Sequence, residues 1–326
     1  MLEKIAAAAA DERKAVFLEA ASINKIPAAM IEKDFWVCWT LNRLFSDFEL
    51  QKILCFKGGT SLSKVFGVIE RFSEDIDLIL DWDTVLNGKE IKLGSKTQQD
   101  KRNKEINEDA QAYIGTTLKD KIEAIVGDIC VVAIDEFDAN TLQVSYPKGI
   151  DDKYLLPHIK LEIGPLAAWT PNETYPIKPY IDGIGKITID AINVPTIVLK
   201  RTFWEKVTIL HREHFRTSDK ANPERYSRHY YDLYKIGYSD FLESALERVD
   251  LLTQVVDFKN TFYPCAWARY DLAKIGTIEL IPTKENIKFL KDDYKKMQGM
   301  IFGDYPSWDE VLSFLTKLQN KINSLK

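Results

Sequence analysis

The chain has little that would fix a fold by cross-links or by metal. Its 326 residues include only four cysteines and four histidines. Cys38, Cys55, Cys130 and Cys265 lie far apart, mostly in apolar surroundings, and form no CxxC pair. That spacing argues against a zinc site and reads as buried thiols in a reducing, cytoplasmic compartment. No apolar run approaches the ~18 residues needed to cross a bilayer, so no membrane association is expected. Ala6 to Ala10 is flanked by Glu3, Asp11 and Glu12, too short an apolar run for a signal peptide. An excess of positive charge is missing as well. The net charge of −5 excludes a general nucleic-acid binder, so any such contact must rest on a local basic patch. Low-complexity tracts and internal repeats are absent. With 45% hydrophobic and 29% charged residues, the composition suits one large core or two ordinary domains.

The segment from Lys57 to Leu78, KGGTSLSKVFGVIERFSEDIDL, joins two chemical devices. Gly58 and Gly59 permit a tight turn and close approach to a ligand. Thr60 or Ser61 is expected to cap the helix that follows, whose free N–H groups favour an anion. Asp75 and Asp77 stand at i and i+2 beside Ile76, Leu78, Ile79 and Leu80. In a strand they share one face, although aspartate is disfavoured there. Two hard oxygen ligands beside a phosphate cradle are what Mg²⁺-dependent phosphoryl or nucleotidyl transfer requires, and solvated aspartates are the bland alternative.

Helices are expected over 2–22 and 27–46, and strands over 52–56 and 76–80. The polar, glycine-containing stretch 87–107 reads as an exposed loop or insertion. A helix over about 109–126 is followed by strands over 129–134, 141–146, 154–163 and 186–192. Beyond Pro195 helical periodicity takes over, with candidates at 196–214, 225–237, 240–259, 284–300 and 307–324. The break places an α+β part over 1–194 and a helical part over 195–326. In HIKLEIG, Ile159, Leu161 and Ile163 face one way and Lys160 and Glu162 the other. Glu162 therefore joins Asp75 and Asp77 as a third carboxylate if its strand neighbours theirs.

These motifs resemble those of the AbiEii/AbiGii (MenT-like) nucleotidyltransferase toxins, in the DNA polymerase β-like nucleotidyltransferase superfamily. The resemblance rests on KGGTSLSKV…SEDIDL, on KLE, on WEK in TFWEKVTILHR, on YYDLYKI, and on the upstream EKDFWVCWTLNRLF. It covers roughly residues 30–240 and implies a mixed nucleotidyltransferase sheet with flanking helices, then a helical domain completing the cleft. It further implies metal binding by Asp75, Asp77 and Glu162, with Mg²⁺ or Mn²⁺ as the ion. Gly58, Gly59, Thr60 and Ser61 would bind the nucleotide, Lys206 would reach the triphosphate, and Asp232 would sit at the active-site rim. The interval from the glycine pair to Asp75 exceeds the superfamily's usual spacing by a few residues. That implies an extra helical turn or a different hydroxyl toward the phosphate. From chemistry alone, Lys206 is an ordinary surface lysine, while Asp232, amid Tyr230, Tyr231 and Leu233, needs a cation: Lys206, or Arg201 or Arg228.

Between 200 and 229 the chain gathers Lys200, Arg201, Lys206, Arg212, Arg216, Lys220, Arg225 and Arg228, against only Glu205, Glu213, Asp219 and Glu224, with His211, His214 and His229. Such a stretch, with Tyr226, Tyr230 and Tyr231, can track an RNA backbone and stack bases, or can simply be a charged helix pair. His211 and His214 at i and i+3 lack further ligands of suitable spacing for a metal. The resemblance points to transfer of NMP from an NTP to an acceptor hydroxyl, with tRNA 3′ ends as acceptor. The protein would be the toxin of a toxin–antitoxin or phage-defence pair, with a cognate antitoxin as partner. Nucleotidylation of a protein or small molecule, and a non-catalytic NTP-binding partner protein, are the alternatives.

Overall fold

The computed structural model describes every residue except 87, 89, 91–93, 153, 154, 218, 221 and 326. The chain divides into two units, one comprising Met1–Val65 and Phe72–Ile197, the other Phe66–Arg71 and Val198–Lys326.

The first unit is built on a seven-stranded mixed sheet. Its strands are β1 (Leu54–Lys57), β2 (Ile76–Leu80), β3 (Val131–Ile134), β4 (Thr141–Ser145), β5 (His158–Gly164), β6 (Asn172–Ile177) and β7 (Ile192–Ile197). The order across the sheet is β3-β4-β5-β2-β1-β7-β6. β2 runs parallel to β5 and antiparallel to β1. Helices α1 (Leu2–Ala6), α2 (Ala10–Asn24), α3 (Ala28–Ser46) and α4 (Leu50–Ile53) precede β1. Helix α3 is buried along most of its length, carrying Ile31, Phe35, Trp36, Trp39 and Leu41 without exposure, and it packs on the sheet. After β1 comes α5 (Gly58–Lys64), and after β2 come α6 (Asp83–Leu86), α7 (Lys96–Tyr113) and α8 (Lys119–Val126).

Several sequence expectations change here. The helix expected over 2–22 is broken between α1 and α2, where Arg13 of α2 turns its guanidinium back to the carbonyls of Ala6 and Ala8. The stretch read as a loop over 87–107 is helical from Lys96, and α7 continues through a π-helical turn (Ile114–Leu118) into α8. Residues 87, 89 and 91–93 of that stretch lie outside the described residues, as does Tyr154, where the β5 strand was expected to begin. Helix α7 buries Gln99 and Asn103 alongside Ile106 and Ala110, so half of its inward face is polar and apolar spacing hides it. It is held by the Ser95 cap, a Gln99–Asn103 hydrogen bond of 2.8 Å, and surface pairs such as Lys101–Glu105. The strand expected over 186–192 is displaced to β7, which contains Pro195. Its pairing to β1 is brief, so the missing proline N–H breaks no long ladder. β6, with Pro176, has no alternation to announce it.

The second unit is helical: α9 (Leu199–His214), α10 (Ser227–Tyr238), α11 (Phe241–Leu246), α12 (Val249–Phe262), α13 (Lys284–Met297) and α14 (Trp308–Asn323). The single helix expected over 240–259 is two, parted at Glu247 and Arg248. Residues Phe66–Arg71 are stitched into this unit by an Arg71–Ile301 bridge, by Phe302 N–H donating to Glu70 O, and by a Lys235–Glu70 ion pair. Among the described residues no helix is long and apolar enough to cross a membrane.

Candidate active site

The first unit positions the glycine pair and the carboxylates from the middle of its sheet. β1 ends at Lys57, paired with Asp77, and the chain turns at Gly58 with φ +81°. A Cβ on Gly58 would lie 1.9 Å from Asp77 Oδ2, so only glycine leaves room for that carboxylate. The expected hydroxyl cap on the following helix is absent: Lys57 holds the N-cap position without a side-chain bond. Thr60 instead donates to the Asp75 carbonyl, and Ser61 donates to Gly58 O at 2.8 Å. Both hydroxyls are buried, so their hydrogens are committed to the backbone. Lys64, at the end of α5, pairs with buried Asp34 of α3 at 2.7 Å and lies over the Tyr180 ring. Burial opposes the Lys64 charge, but the attraction of Asp34 outweighs that loss of hydration and keeps the ammonium firmly protonated.

Asp75 lies one residue before β2, and Asp77 lies within it. In the parallel β2–β5 ladder Asp77 stands opposite Glu162, so the third carboxylate falls on the strand next to the first two. Asp75 and Asp77 are half-buried and Glu162 is exposed, whereas Ile76, Leu78, Leu161 and Ile163 face the core. Lys160 shares the open face with Glu162. It pairs with Asp135 at 2.8 Å, and Asp135 also accepts from Gln143 Nε2 at 2.8 Å. Lys160, then Gln143 and the Phe137 N–H, hold the Asp135 carboxyl well below the usual range. Among the described residues, no three of His, Cys, Asp and Glu stand close enough to hold a metal ion between them.

Sequence reasoning passed over the residues that steady this face. Glu32, Lys33 and Asp34 are consecutive and buried, and each holds a different segment. Glu32 accepts from Gly149 N at 2.7 Å and Ile150 N at 3.0 Å, and Asp34 takes Lys64. Lys33 pairs with Glu74, next to Asp75, and donates to Leu156 O at 3.0 Å. Burial lowers the Lys33 pKa, with Glu74 opposing it. The signal was in the sequence: three charges in a row inside an apolar helix demand three partners.

In the second unit Asp232 is fully buried and bonded to two cations. Lys206 Nζ is 2.7 Å from Oδ2, as one expectation had it, and Arg71 grips both oxygens at 2.6 and 2.9 Å. Arg201 and Arg228, the other candidates, are not those partners; Arg201 pairs with Glu205. Against the opposing pull of burial, Arg71 and then Lys206 hold the Asp232 carboxyl far below its usual range. Burial lowers the Lys206 pKa against the pull of Asp232, and Lys206 also meets His229 Nδ1 at 3.0 Å. Arg71 explains the long interval between Gly59 and Asp75. The extra residues do not lengthen the helix: α5 ends at Lys64, and 66–71 passes into the second unit.

The basic stretch 200–229 is only partly a surface. Arg201, Lys206 and Arg216 are buried, with Arg216 paired to Glu213, because the interleaved acids draw these cations inward. Lys220 and Arg225 are exposed, and Lys200 and Arg228 are half-exposed. Ser218 and Ala221, inside the loop expected there, lie outside the described residues. His211 bonds to Arg269 O and accepts from Glu279 N, and His214 bonds to Ile281 O.

A family model for the nucleotidyl transferase AbiEii toxin, type IV toxin–antitoxin system, matches residues 39–314. The chain belongs to the AbiEii family. It is accordingly a nucleotidyltransferase. Similar solved structures include MenT4, a nucleotidyltransferase toxin from Mycobacterium tuberculosis H37Rv. That match has 17% identity and a TM-score of 0.43, and covers 95% of this chain and 99% of MenT4. Another is a candidate nucleotidyltransferase from H. pylori, with 14% identity, a TM-score of 0.41, and coverage of 87% and 91% of the two chains. No curated protein matches the sequence. The AbiEii match spans both units and every candidate site residue, while Glu32, Lys33 and Asp34 lie just upstream of it.

Proposed function

We propose that this AbiEii-family enzyme transfers NMP from an NTP to a hydroxyl of RNA, with a tRNA 3′ end as acceptor. It does so as the toxin of a toxin–antitoxin or phage-defence pair with a cognate antitoxin. The observation that carries the reading is the open sheet face on which Asp77 and Glu162 stand in register, Asp75 precedes Asp77 by two residues, and Gly58 packs against Asp77.

The donor set suits Mg²⁺, with Mn²⁺ able to replace it. This ion is usually held by one or two carboxylates plus water and substrate phosphates, so Asp75 and Asp77 suffice without a closed protein cage. Glu162 is the third carboxylate. Bound there, the ion supplies a lowered pKa at the attacking hydroxyl and neutralisation of the leaving pyrophosphate. The chain's own part is positioning. Gly58 and Gly59, with the backbone of Thr60 and Ser61, offer N–H groups to the phosphates, since the two hydroxyls are committed elsewhere. Lys206 offers positive charge to the triphosphate, and Asp232, shared with Arg71, fixes that ammonium. The acceptor hydroxyl gives its proton to solvent as its oxygen attacks the α-phosphorus, a new P–O bond forms, and the bond to pyrophosphate breaks. The exposed part of 200–229 (Lys220 and Arg225, with Lys200 and Arg228) is the proposed RNA contact.

The test is incubation with each α-labelled NTP, Mg²⁺ and total tRNA, beside an RNA-free reaction. Label on RNA supports the reading. Label that appears on protein without RNA moves the acceptor to the alternative, and no transfer with any NTP overturns the proposal.

A further inference from the structure

Asp135, just beyond β3, is held on every side. Its side chain is 2% exposed. One carboxylate oxygen accepts the N–H groups of Phe137 (3.0 Å) and Asp138 (3.3 Å), shaping the β3–β4 turn. The other takes Gln143 Nε2 and the Lys160 ammonium, each at 2.8 Å. Lys160 starts on β5, in register with Gln143 on β4, so its stem crosses β4 to reach Asp135. The ammonium is thereby drawn toward the β3 edge, although Asp75 and Glu162 also attract it, after Asp135 in strength. A lysine on four flexible carbons goes where the strongest anion is.

We propose that Asp135 is a positioning residue of the carboxylate face: by holding Lys160 aside, it keeps that ammonium from competing with a divalent cation for Asp75 and Glu162. The inference rests on the metal-dependent reading above. Without the Asp135 charge, Lys160 turns to Asp75 and Glu162 and stands where the cation is needed.

The experiment is titration of the full-length protein with Mn²⁺ alone, free ion being read by electron paramagnetic resonance. Asp135→Asn keeps an oxygen for the turn and removes the charge. It is expected to raise the Mn²⁺ dissociation constant about tenfold, the effect of bringing one positive charge within a few ångströms of the site. Adding Lys160→Met to Asp135→Asn is expected to return the constant to within about twofold of wild type, because the two sites act through one contact. Unchanged affinity in Asp135→Asn overturns the inference. Equal weakening in the single and double variants also overturns it, since the loss then comes from the turn and not from Lys160. Wild-type binding that is absent, or indifferent to Asp75→Asn with Asp77→Asn, is a different failure, because it removes the metal-dependent reading itself.

Discussion

At the residue scale, Gly58 carries two demands at once: a backbone at φ +81° and a face against which the Asp77 carboxylate lies. Gly58→Ala strains the turn and pushes that carboxylate aside. The expected outcome is a loss of about 1–3 kcal/mol in denaturant unfolding, with nucleotidyl transfer falling ~100-fold because the carboxylate proposed to bind the metal is displaced. Lys33→Met leaves Glu74 charged and buried beside Asp75. It should cost about 3–5 kcal/mol by the same measurement, and Lys33→Met with Glu74→Gln should recover most of it. The glycine pair and the two aspartates are legible in the sequence because their geometry is local. Their supports are not. Lys33 and Glu74 are 41 residues apart, and Arg71 and Asp232 are 161 apart, so burial demands a partner without naming it.

At the scale of elements, apolar periodicity located most of the helices and the β2 and β5 strands. It failed where another force sets the element. Helix α7 buries polar Gln99 and Asn103 on the same face as Ile106 and Ala110, and β6 and β7 contain prolines. In the basic stretch, α9 interleaves Glu205 and Glu213 with its cations and draws some of them inward. Helix packing in the second unit has its own close approach. A Cβ on Gly237 of α10 would lie 2.4 Å from the Phe314 ring of α14. Gly237→Ala is therefore expected to destabilise by about 1–3 kcal/mol, read as a lower midpoint in thermal unfolding, because a packed ring must shift.

At the scale of the whole molecule, the chain's acid sensitivity should begin with its histidines. His211 is fully buried, with Nε2 bonded to Arg269 O and Nδ1 accepting from Glu279 N. Burial lowers its pKa from 6.5, and His229 is pushed down further by burial and the Lys206 charge. The unfolded chain takes up protons below about pH 6.5 while these folded histidines do not. Stability is then complete above that pH and falls below it, by about 1.4 kcal/mol per pH unit for each such histidine. Asp135 and Asp232 have depressed pKa values, so their contributions are lost only at more acid pH, below the ordinary aspartate value of 3.8. Denaturant unfolding from pH 7.5 to 5 checks the slope. Nothing local in the sequence shows that 66–71 belongs with the helical unit, because the contacts that tie it there are long-range.

The central claim is that the carboxylate face performs the transfer. Its most direct measurement is the rate of label transfer from α-labelled NTP to RNA by wild type and by Asp75→Asn with Asp77→Asn, after both are shown to be folded. The account predicts transfer by wild type and its loss in the variant; undiminished transfer by the folded variant would contradict it.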